Sequence, residues 1–101
     1  MFNCEYKKEG NLQEFILTGK LDQETFSEFD SYVQHHYTKD TNLLLNLETL
    51  DYISSVGLRS FIAVAKLVRA DKKNINIKAK DGSMVRQLIM LSGFSKLMPF
   101  V

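Results

Sequence analysis

The chain has 101 residues, 45% of them hydrophobic and 25% charged, which is the composition of an ordinary globular protein with room for one domain, residues 1–101. Thirteen basic residues against twelve acidic ones leave a net charge of +1, so no global field draws the chain to nucleic acid or to an anionic membrane. One cysteine, Cys4, excludes an intramolecular disulfide and any zinc set of several cysteines, and it fits a reducing cytoplasm.

The N-terminus carries charge within its first eight residues and has no continuous apolar run, so it does not read as an export signal. Runs such as Leu43–Leu45 and Phe61–Ala65 fall far short of the ~20 residues that span a bilayer, and direct membrane insertion is not expected.

In chain order, Phe2, Cys4 and Tyr6 alternate with polar residues, and Lys8-Glu9-Gly10-Asn11 supplies a turn before the apolar segment Leu12–Thr18. These predict a β-hairpin. After Gly19, Asp22 stands as an N-cap for a helix whose inner face carries Phe26, Phe29, Val33 and His36 or Tyr37. Asn42–Leu47 reads as a central strand covered on both faces, followed by a short connection. Helical spacing resumes at Ser54-Ser55 with Leu58, Phe61, Ile62, Ala65 and Val68. Asp71–Asn74 breaks that helix, and Ile75, Ile77 and Ala79 alternate with polar residues as a strand. Met84, Val85, Leu88, Ile89 and Leu91 then form the apolar positions of a last helix ended by Gly93, with a short strand or extended tail from Lys96 to Val101. The order β-β-α-β-α-β-α predicts an α/β fold with a sheet that is at least partly parallel.

Several chemistries lack their signatures. Ser54-Ser55-Val56-Gly57 is not the Gly-x-Ser-x-Gly elbow of a serine hydrolase, and adjacent His35 and His36 point about 100° apart on a helix, unsuited to act as a pair. No glycine-rich phosphate loop occurs, so no cofactor is expected. Phe26, Phe29, Phe61 and Phe94 are expected in the core rather than on a base-stacking platform.

The informative segment is Leu43 to Arg59, in which a buried strand leads to two serines at a helix start. Either serine can cap the helix, and a helix N-terminus also stabilises a phosphate. Tyr52-Ile53-Ser54-Ser55-Val56-Gly57-Leu58 resembles the Asp-Ser-Ser-Gly-Leu-like helix start of the STAS family, named for sulfate transporters and anti-sigma-factor antagonists. Gly19-Lys20-Leu21-Asp22 is similar to the family's Gly-x-Leu-Asp, and Leu91 to Leu97 is similar to its C-terminal ending.

The resemblance implies a SpoIIAA-like fold, a central mixed sheet with an N-terminal hairpin and helices mainly on one face. It implies a non-enzymatic anti-sigma-factor antagonist whose partner is an anti-sigma factor that is also a serine protein kinase. Carried over by position, the phosphorylated serine is Ser55, and Asp22, Ser54, Ser55, Val56, Gly57, Leu58 and Arg59 form the partner-binding segment. A PP2C-type phosphatase would reverse the modification. Ser54 replaces the family's usual aspartate, Val56 a small polar residue, and Arg59 a frequent second glycine. Another role known in the family is that of an accessory subunit of a lipid ABC transporter or of a sensory complex, in which Ser54 and Ser55 are caps only.

Overall fold

A computed structural model describes residues 1–101. Strands β1 (Phe2–Glu9) and β2 (Leu12–Leu21) form the expected antiparallel hairpin, turned at Gly10 and Asn11. Helix α1 (Phe26–His36), strand β3 (Asn42–Ile53), helix α2 (Ser55–Ala70), strand β4 (Ile75–Lys78) and helix α3 (Met84–Ser92) follow, and a 3-10 turn spans Phe94–Lys96. The sheet order is β1-β2-β3-β4, with β3 parallel to both β2 and β4. A single core joins Phe15, Leu17 and Leu21 of β2, Leu43, Leu45 and Leu47 of β3, and Ile75 and Ile77 of β4 to the inner sides of the three helices.

The central position of β3 is as expected, but its cover is one-sided. Leu44, Asn46 and Glu48, with Glu14 and Ile16 of β2, lie on the other face, where none is buried. Polar pairs keep that face wetted: Asn46 donates to Glu14 at 2.9 Å, and Lys78 lies 3.6 Å from Glu48. A leucine-rich run mimics a doubly covered strand because Leu44 sits half-buried among these polar neighbours.

The strand also runs on to Ile53, so the expected connection after Leu47 does not exist. Two bulges explain why its later half was illegible. The register with β2 slips once between Ile16 and Thr18 and again between Gly19 and Lys20, each time with an extra residue on β3. Buried residues therefore recur as Leu47, Leu50 and Ile53, at intervals of three instead of two. Thr49, in the first bulge, donates its hydroxyl to the Leu17 carbonyl at 2.9 Å.

β2 likewise continues through Gly19 to Leu21 rather than stopping at Thr18. Gly19 has φ +92°, and a Cβ there would collide with the carbonyl of Met1, which accepts from Lys20 N–H at 2.8 Å. The tail is a 3-10 turn and then one bridge, Phe100 against Ile77, rather than a strand.

Asp22 does not N-cap α1. That position is Thr25, whose hydroxyl points backward to the Lys20 carbonyl at 2.9 Å, while Asp22 accepts from Glu24 N–H at 3.0 Å and closes the preceding turn. Phe29 is buried and meets Phe61 of α2 edge-on at 5.5 Å, tying the two helices together. Phe26 and Phe94, expected in the core, are only half-buried against it.

Gln13 is fully buried, and its amide holds the loop between α1 and β3: it donates to Thr38 carbonyl at 2.6 Å and accepts from Thr38 N–H at 3.0 Å. Cys4 faces α1 from β1. Burial, with Glu28 and Glu5 nearby, pushes its thiol up to about 12. Its folded pKa exceeds its unfolded one, so the stability it contributes is complete below about pH 9 and is lost as pH rises toward 12. We expect iodoacetamide at pH 8 to label Cys4 at least ~100-fold more slowly in the native protein than in urea. Equal rates would contradict this environment.

Candidate functional site

The path of the backbone places the two serines. Leu21 pairs with Ile53 at the ends of β2 and β3, and Ser54 N–H donates to the Leu21 carbonyl at 3.0 Å. The chain then turns directly into α2. Gly57 lets the first turn of that helix sit on the sheet edge, because a Cβ there would lie 2.7 Å from the Leu21 carbonyl oxygen and 3.0 Å from Cγ1 of Ile53. Asp22, one residue past Leu21, leaves the sheet beside Ser54 and is half-buried.

The serines divide the available work. Ser54 is the N-cap, in extended conformation, and its Oγ accepts from Gly57 N–H at 3.3 Å. Ser55 is the first helical residue; it is exposed, and its hydroxyl bonds to nothing in the protein. Its own N–H and that of Val56 also have no acceptor within the chain. Ser54→Ala should cost about 1 kcal/mol of stability, read from chemical denaturation, whereas Ser55→Ala should be close to neutral. Equal costs would contradict this division.

Of the other expected site residues, Leu58 and Val56 are half-buried, Arg59 is exposed, and Gly57 is buried. Gly57 therefore contributes by position, not by contact. Val56 and Arg59 line a groove between α1 and α2 with Phe26, Asp30 and Gln23. Ser54, Ser55 and Leu58 face a second groove of about 540 Å³, whose far wall is Leu88 and Leu91 of α3. No acidic residue lies in the first turn of α2, and Arg59, one turn after Ser55, makes no ion pair.

Leu88 and Leu91, two of the five apolar positions of α3, are 38% and 84% exposed and do not fill the core. Val85 and Ile89 do. Met84, Leu88 and Leu91 form a second stripe at the same helical spacing, and with Tyr52, 39% exposed, they supply an apolar surface beside Ser55. The signal was an excess of apolar residues in α3 over what one face can bury.

His36 is committed elsewhere, stacked on Tyr6 at 5.1 Å and packed at a tilt against Tyr32 at 4.2 Å. α1 and α2 both begin at the C-terminal edge of the parallel strands, so the far end of the 11-residue α1 places His36 roughly 16 Å from that edge. It cannot serve Ser55 as a base.

This arrangement is that of a known class. The family model described as "Mlab, STAS domain" matches residues 4–99, and the chain belongs to the STAS family. Its fold is SpoIIAA-like. An anti-sigma factor antagonist from Mycobacterium paratuberculosis superposes with a TM-score of 0.86 at 17% identity, covering 99% of this chain and 85% of that one. The Bacillus cell fate determinant SpoIIAA in its phosphorylated form gives 0.73 at 14% identity over 98% and 91% of the two chains. Its unphosphorylated form, an anti-sigma factor antagonist, gives 0.63 at 11% over 90% and 99%. Comparison with curated protein sequences gives no match. No helix is long and apolar enough to cross a membrane.

Proposed function

We propose that the chain is an anti-sigma-factor antagonist acting in the cytoplasm, which binds an anti-sigma factor with serine kinase activity through the surface around Ser55 and is released when Ser55 is phosphorylated. The observation that carries this reading is the free, exposed Ser55 hydroxyl beside a Ser54 that already supplies the cap. A kinase can take Ser55 without unmaking the helix start.

The site also suits the product. A phosphate on Ser55 would meet the free N–H groups of the first turn and the positive end of α2, and Arg59 follows at i+4, the spacing at which side chains on a helix meet. The domain would accommodate the charge that its partner refuses, so the switch acts on a surface and leaves the fold intact. A PP2C-type phosphatase would restore the binding state.

Genetics tests this. Ser55→Ala should leave the dependent sigma factor permanently active, and Ser55→Asp should silence it, as read by a transcriptional reporter. Equal output from the two variants would sink the proposal.

A second reading, an accessory subunit of a lipid ABC transporter or sensory complex, is favoured by one observation. The apolar wall of Leu88 and Leu91 suits a permanent partner. In that case neither serine is modified, and Ser55→Asp leaves the complex intact. Neighbouring genes separate the two: a serine kinase or PP2C-type phosphatase favours the switch, an ABC transporter the subunit.

A further inference from the structure

The two edges of the sheet are treated differently. At β4, the C-terminal tail covers the edge: Ile77 N–H donates to Pro99 carbonyl and Val101 N–H to Ile77 carbonyl, each at 2.9 Å. At β1, eight residues pair with β2 in unbroken register and nothing covers the other side. The strand has neither the proline nor the bulge that usually blunts an open edge, only charges.

Those charges are complementary in one self-pairing. We propose that the chain forms a two-fold dimer through β1, in which two copies pair antiparallel with Tyr6 on the axis and Glu5 of each copy opposite Lys7 of the other. A two-fold axis normal to the sheet keeps like faces together, so paired positions in β1 must share a face. With Tyr6 opposite Tyr6, Glu5 meets Lys7 twice and Asn3 meets Glu9. Sliding one step either way sets Glu5 against Glu5 or Lys7 against Lys7, both unfavourable. Glu5 and Lys7 are exposed, lie on the helix-free face, and have no ion pair within the chain.

The resulting eight-stranded sheet leaves Ser55 open, because the site lies at the end of β3, two strands from the joint. It is independent of the proposed switch. A strand pair of this length buries less than the ~1,200 Å² of a stable interface, so the dimer is weak.

Sedimentation velocity on the full chain from about 10 µM to about 1 mM tests it. A concentration-dependent shift from monomer to dimer is expected. Glu5→Lys or Lys7→Glu should weaken dimerisation about tenfold, and the double variant Glu5→Lys/Lys7→Glu should return to within about threefold of the parent. A parent that stays monomeric throughout overturns the proposal. So does a double variant no better than the single ones, or a dimer abolished by Leu91→Lys on α3.

Discussion

Replacing Ser55 by aspartate should weaken binding of the cognate serine kinase about a hundredfold while leaving the circular dichroism and the unfolding midpoint unchanged. A phosphoserine carries about −1.5 to −2 charges at neutral pH, and one like-charge contact at ~4 Å costs roughly 4 kcal/mol at an effective dielectric near 20. At 1.4 kcal/mol per decade, even half of that reduces affinity by more than tenfold, and a full contact by several hundredfold. That figure is for two unit charges and so applies to aspartate directly; Ser55 is exposed, and screening by water and salt places the effect below that ceiling. The fold tolerates either group because Ser55 is exposed at the positive end of α2. Isothermal titration measures the change, and an unchanged affinity in a folded variant would remove Ser55 from the interface.

The second large effect is on the frame of the site. Gly57→Ala should destabilise the protein by about 2 kcal/mol, although alanine is the better helix former by about 1 kcal/mol. The sign follows from contact with backbone: the added Cβ would lie 2.7 Å from the Leu21 carbonyl oxygen, and that oxygen is fixed by its bond to Ser54 N–H. Relief requires α2 to lift from the sheet, which carries Ser54 and Ser55 out of place. Urea denaturation reads the stability. A variant as stable as the parent would show that the close approach of α2 to β2 is not needed.

The order of elements was legible because α1, α2 and β4 keep clean periods of 3.6 or 2 over their whole length. What could not be read was structure that breaks period locally. The bulges of β3 spread its buried residues to Leu47, Leu50 and Ile53, and that spacing resembles neither a strand nor a helix over so short a stretch. The turn before α1 departs from its sequence pattern for a related reason. Asp22 is a good capping residue by type, but backbone geometry gives the position to Thr25 and leaves Asp22 to close the turn ahead of it.

At the candidate site, the helix start at Ser54 and Ser55 was legible in the sequence, and the division between the two serines was not. Both have the chemistry of a cap, and only the path of the chain out of β3 decides which hydroxyl is spent. The apolar wall was hidden by its own regularity. Leu88 and Leu91 sit at helical spacing like core residues, and only packing shows that Val85 and Ile89 occupy the inner face instead.

The proposed switch requires that Ser55, and not Ser54, receive the phosphate. The most direct measurement is to incubate the chain with its cognate kinase and ATP and to locate the modified residue by mass spectrometry in the parent, Ser54→Ala and Ser55→Ala proteins. Phosphate is expected on Ser55 in the parent and in Ser54→Ala, and none in Ser55→Ala. Phosphate on Ser54, or undiminished phosphorylation of Ser55→Ala, would contradict it.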